Sequence, residues 1–217
     1  CGSDSATGDG AGILIQIPHL FFQKQSEKAG IKLPEAGRYA VGNVFLPSGK
    51  DTEQGQQIME RAVVTEGLEL LGWRDVPVDN TTIGVTARSV EPVIKQIFVG
   101  AGADIKDQLA FERRLYCVRK RTAWGVRRAG LNDNNENFYA CSLSSKTLIY
   151  KGQLMAPQLE TYYLDLKDPN MVSALALAHS RYSTNTFPSW GRAQPFRYIA
   201  HNGEINTVRG NQNWMRA

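Results

Sequence analysis

At 217 residues, with 42% hydrophobic and 21% charged content, the chain has the length and balance of one globular domain able to bury a substantial core. No apolar run approaches the ~20 residues that span a bilayer and no charged-then-apolar signal segment opens the chain, so no membrane partner and a cytoplasmic location are expected. The net charge of +4 gathers in Arg113-Arg114, Arg119-Lys120-Arg121 and Arg127-Arg128, where Tyr116 and Trp124 give too little aromatic support for nucleic acid; the run reads as a solvated helix face or a contact surface for an acidic partner domain.

In chain order, the turn Thr7-Gly8-Asp9-Gly10-Ala11-Gly12 leads into an apolar run at 13–17 that predicts a buried strand closed by Pro18. A second strand is expected over 39–46, ended by Pro47-Ser48-Gly49. The spacing of Ile58, Ala62, Val63, Leu68 and Leu71 predicts a helix over 51–71 with Gly72 as its stop. Strands are expected at 73–78 and 94–99. A long helix is expected over 104–128, burying Leu109, Leu115, Val118 and Trp124. Residues 138–143 and 147–150 read as a hairpin-like pair, 173–179 and 196–201 as strands, and a helix is expected after Asn206. This mixture predicts an α+β fold with antiparallel pairing, in one domain over 1–217 without internal repeats.

The three cysteines are too few and too scattered for a disulfide framework or a Cys-x-x-Cys metal site, and Cys117 and Cys141 read as buried, inert thiols. Cys1 differs, because a cysteine that begins a mature chain carries a thiol beside an α-amine whose ordinary pKa is about 7.7–8.0. Such a residue supplies nucleophile and base together. Asn202-Gly203, at the end of a predicted strand, is a candidate oxyanion hole: one side-chain amide donor, and one backbone N–H unshielded by a Cβ. Arg181, beside the hydroxyls of Ser183 and Thr184, suits bidentate capture of a carboxylate. His179 and His201 read as structural hydrogen-bonding groups rather than bases or metal ligands. The glycine run at 7–12 precedes a strand instead of joining strand to helix, which argues against a phosphate cradle.

Together, Cys1-Gly2, His179-Ser180-Arg181-Tyr182-Ser183-Thr184 and His201-Asn202-Gly203-Glu204-Ile205-Asn206 resemble the class II glutamine amidotransferase domains of the N-terminal-nucleophile hydrolase superfamily. Longer strings resemble the large subunit of bacterial glutamate synthase: residues 7–14, 183–190 and 206–215. The resemblance implies a four-layer αββα sandwich in which Cys1 attacks the side-chain amide of L-glutamine while its α-amine relays the proton through a water. It implies that Asn202 and the Gly203 N–H hold the oxyanion, and that Arg181, helped by Thr184, binds the α-carboxylate. Ammonia would pass through a tunnel to a synthase domain of the same polypeptide, to meet 2-oxoglutarate. No cofactor is implied in this segment; FMN and an iron–sulfur cluster are implied elsewhere in the protein, with a small reductase subunit as a partner and the nicotinamide-dependent bacterial type as the nearer match.

In the family a longer segment with a His-Arg-Gly element stands between the opening Cys-Gly and Thr-Gly-Asp-Gly. Residues are therefore expected to be missing between Gly2 and Ser3. The domain is also expected to be incomplete at its C-terminus, where the family's ammonium-binding acidic residue lies. Two other readings of the residues remain: an amidotransferase for purine, glucosamine or asparagine synthesis, or an inactive interaction domain docking an acidic partner through 104–128.

Overall fold

The computed structural model describes residues 4–131, 138–180, 187–203 and 207–216. Two antiparallel sheets organise it. β1 (Ala11–Gln16) lies between β6 (Thr147–Gly152) and β7 (Ala176–His179), and the second sheet has the order β3 (Glu69–Asp75), β4 (Val93–Gly100), β2 (Tyr39–Leu46), β5 (Tyr139–Ala140). Alternation along β2 divides the core. Val41 and Phe45 join β1 and β6 residues such as Leu14, Leu148 and Tyr150, while Ala40, Val44 and Leu46 face α2 (Lys50–Thr65) and α4 (Gln108–Arg128). Sheet packs on sheet, with α2 and α4 as an outer helical layer, in agreement with the αββα sandwich expected. The shorter helices are α1 (His19–Lys28), α3 (Val85–Ser89), α5 (Gln158–Tyr162) and α6 (Val208–Trp214), the last of which begins after Asn206 as expected.

A polar cluster is buried where the two sheets meet. Arg74 on β3 donates to both carboxylate oxygens of Asp165, at 2.6 and 2.8 Å, and to Gln96 Oε1 at 2.7 Å. Tyr150 on β6 donates to Asp165 Oδ2 at 2.9 Å and accepts from Gln96 Nε2 at 3.0 Å. Burial opposes the charge on Arg74, but the Asp165 carboxylate more than offsets it and raises the guanidinium pKa. Asn43 adds a second link, its Nδ2 donating to the Ile149 carbonyl at 2.7 Å.

Several sequence expectations need correction. The helix predicted over 51–71 ends at Thr65, because Gly67 takes φ +70° and turns the chain into β3. Leu71 and Gly72 thus lie in a strand, where Gly72 follows a register shift, and β3 ends at Asp75 instead of reaching Val78. On α4 the buried residues are Phe111, Leu115, Val118, Thr122 and Val126; Leu109 and Trp124 are exposed. The helix starts four residues late, at the Asp107 cap, whose carboxylate accepts from the Ala110 N–H at 2.8 Å. Cys117 is only partly buried.

Residues 138–150 make no hairpin. β5 pairs with β2 and β6 pairs with β1, so the chain changes sheets between them. Nor is 196–201 a strand: Phe196 and Ile199 exchange backbone hydrogen bonds of 2.8 and 3.1 Å across a tight turn, with Arg197 at φ +55°.

Candidate active site

The segment 190–203 carries Asn202 and Gly203, and it is fastened to β1, β6 and α3. Trp190 is buried against Gly152 of β6, where a Cβ would stand 2.4 Å from its ring, and its indole N–H donates to the Ala87 carbonyl at 3.0 Å. Lys151, the neighbour of Gly152, sends its ammonium to the carbonyls of Gly191 at 3.0 Å and Ala193 at 2.7 Å. The Gln194 carboxamide then holds the His201 backbone on both sides of its Cα. It donates to the His201 carbonyl at 2.8 Å and accepts from the His201 N–H at 2.7 Å. Asn202 and Gly203 follow directly and are exposed.

β1 brings its N-terminal half to the same place. Gly12 pairs with Lys151 on one side and with His179 on the other. A Cβ on Gly12 would lie 2.3 Å from the Gln194 carbonyl oxygen, so only glycine lets the 190–203 segment approach this closely. Gly8 is equally constrained, its Cβ position falling 2.0 Å from the Leu154 carbonyl carbon. The glycine run at 7–12 is therefore a device for close backbone packing, in keeping with the argument against a phosphate cradle. Upstream, Asp4 accepts from Thr7 Oγ1 at 2.9 Å and from the Thr86 N–H at 3.3 Å, and the Thr7 hydroxyl leads the contacts that hold its carboxyl below the ordinary range.

Of the residues expected in the site, Asn202 and Gly203, neighbours in the chain, are described and exposed. Cys1, Arg181 and Thr184 lie outside the described residues, although β7 leads through His179 to Ser180, the residue before Arg181. Cys141 is no substitute nucleophile: burial pushes its thiol up to about 12. Among the described residues no group of three or more His, Cys, Asp or Glu comes together to hold a metal ion, and no helix is long and apolar enough to cross a membrane.

Sequence reasoning missed Lys151 and Gln194. A lysine within the otherwise apolar-rich strand Thr147–Gly152 reads locally as a solvent-facing residue, and nothing local pairs a glutamine with a backbone seven positions on. On α4, Arg114 and Arg121 contact Glu66, whereas Arg119 and Lys120 stack on Tyr116 and Arg128 on Trp124.

Residues 1–217 match the family model described as "Glutamine amidotransferases class-II". The chain is 51% identical to the glutamate synthase [NADPH] large chain of Bacillus subtilis, over 100% of this chain and 14% of that protein. It is 46% identical to the corresponding chain of Azospirillum brasilense, over 99% of this chain and 14% of the relative. It is 42% identical to the chloroplastic ferredoxin-dependent glutamate synthase of rice, over 100% of this chain and 13% of the relative. The chain thus spans about a seventh of the length of these relatives. The Bacillus alignment takes in the whole chain within 218 positions. A matching profile along the full length, with close relatives aligned end to end, places the chain in a family: it belongs to the class II glutamine amidotransferases.

Proposed function

We propose that the chain is the glutaminase domain of a glutamate synthase, releasing ammonia from L-glutamine for a synthase domain of the same polypeptide to add reductively to 2-oxoglutarate. The observation that carries this is the alignment of the whole chain, at 42–51% identity, with proteins named glutamate synthase. FMN, an iron–sulfur cluster and a nicotinamide-linked small reductase subunit belong, on this reading, to the rest of a cytoplasmic protein built like the bacterial relatives.

The chemistry assigned to the chain is amide hydrolysis. The Cys1 thiol attacks the glutamine side-chain carbonyl carbon, its proton passing through a water to the Cys1 α-amine. The oxyanion accepts hydrogen bonds from the Asn202 side chain and the Gly203 N–H. Return of the proton to the departing nitrogen breaks the C–N bond, releases ammonia and leaves a thioester, which water hydrolyses to glutamate. Arg181, helped by Thr184, holds the α-carboxylate. Cys1 can fill its role only as the first residue of the mature protein, since its base is a free α-amine. Its assignment rests on that chemistry.

Full-length protein treated with 6-diazo-5-oxo-norleucine and mapped by peptide mass is expected to carry one label per chain, on a Cys1 with a free α-amine. A label on a cysteine outside residues 1–217 would remove Cys1 as the nucleophile while keeping the glutaminase; a protein that takes no label contradicts the glutaminase itself.

A further inference from the structure

Lys151 is wholly buried, yet among the described residues no carboxylate lies within ion-pair distance of its ammonium. Its neighbours are two carbonyl oxygens, of Gly191 and Ala193, and two ring faces, with Nζ 4.4 Å from the centroid of Tyr139 and 4.5 Å from that of Phe196. Removing a lysine charge from water is costly, and here burial drives the pKa down to about 8. Beside Ile149 and Tyr150 a methionine or leucine would fill the same space without that cost. What the ammonium adds is a set of directed donors, and both carbonyls they reach belong to the segment that carries Asn202.

The path from Lys151 to the oxyanion donors is short and entirely polar. Ala193, whose carbonyl Lys151 holds, precedes Gln194. Gln194 in turn grips the N–H and the carbonyl of His201, and Asn202 and Gly203 are the next residues. From the other side, the Gln194 carbonyl oxygen and the Lys151 Cβ together fill the space a side chain on Gly12 would need, at 2.3 and 2.6 Å. The segment is thus trapped between β1, β6 and one ammonium.

We propose that Lys151 is a positioning residue for amide hydrolysis, its ammonium pinning Gly191 and Ala193 so that Gln194 sets the orientation of the Asn202 and Gly203 donors. This rests on the oxyanion role given to Asn202 and Gly203. Lys151→Met keeps the bulk and removes the donors, whereas Lys151→Gln keeps an N–H donor on a shorter stem.

The test compares both variants and Asn202→Ala in full-length enzyme, reading glutamate formation from glutamine and from added ammonia. Loss of the whole folded protein lowers both rates together and leaves their ratio unmoved, whereas unfolding confined to this domain would lower the ratio but also strip β2 of its exchange protection. For Lys151→Met the ratio of glutamine to ammonia rate is expected to fall about 10–10²-fold, as for a misplaced catalytic group, with KM for glutamine changed less than about twofold. Lys151→Gln is expected to fall between Met and wild type. Backbone amides of 190–203 are expected to exchange faster in Lys151→Met, while those of β2 keep their protection. An unchanged ratio in both Lys151 variants overturns the inference if Asn202→Ala has lost its glutamine rate. If Asn202→Ala keeps that rate, the oxyanion assignment beneath the inference fails instead.

Discussion

Asn202→Ala in the full-length protein is expected to lower the glutamine-dependent rate by about 10²–10³-fold and to leave the ammonia-dependent rate intact. The oxyanion exists only while the tetrahedral intermediate lasts, so an amide aimed at it accelerates the reaction without tightening the ground state. The loss should therefore fall on kcat, with KM for glutamine little changed. The fold gives no reason for collateral damage: Asn202 is exposed, and the segment beneath it is held through the His201 backbone and the Gln194 side chain, neither of which the substitution touches. An Asn202→Ala enzyme with a wild-type glutamine rate would mean that the donors of this site lie elsewhere. A parallel loss of ammonia-dependent activity would mean that the residue is structural.

The second large effect concerns the seam between the sheets. Asp165→Ala is expected to destabilise the domain by about 3–5 kcal/mol, because it leaves the Arg74 guanidinium buried without its carboxylate. The side chains of the pair are 9% and 2% exposed, so solvent does little to screen the stranded charge. The same change takes the acceptor from the Tyr150 hydroxyl, which lies in the middle of β6 next to Lys151. Hydrogen exchange of peptides covering Thr147–Gly152 in the full-length protein reports the loss. Replacing both partners, as Arg74→Met with Asp165→Leu, is expected to restore most of the protection, since an apolar pair of similar bulk leaves no buried charge. Unaltered exchange in Asp165→Ala would show that the pair contributes nothing across the seam.

How far the sequence discloses this molecule depends on whether the deciding forces are local. β2 is legible to the residue: eight residues closed by Pro47-Ser48-Gly49 form one strand, Tyr39–Leu46. The end of α2 is not, because the apolar spacing carries on through Leu68 and Leu71 after Gly67 has already turned the chain. The 138–150 region misleads for a different reason. Two neighbouring extended runs look like partners, and only the tertiary fold sends one to each sheet. At 196–201, apolar residues separated by Arg197 mimic a strand, whereas the backbone folds back on itself through a left-handed Arg197.

The candidate site divides along the same line. Asn202-Gly203 can be proposed from the sequence because donors for an oxyanion have a recognisable chemistry. Lys151 and Gln194 act on carbonyls and amides far along the chain, and such contacts leave no local mark. The basic stretch of α4 was legible as a helix, but which of its cations are held depends on Glu66, more than 40 residues earlier.

We propose that nitrogen moves from the side chain of glutamine to 2-oxoglutarate, with this domain releasing it. Full-length protein supplied with amide-15N glutamine, 2-oxoglutarate and its reductant tests that directly. The predicted result is one 15N-labelled α-amine, on glutamate formed from 2-oxoglutarate, for each glutamine consumed, with little label lost to free ammonia. Glutamine left unconsumed, or 15N found only in ammonia or in another acceptor, would contradict it.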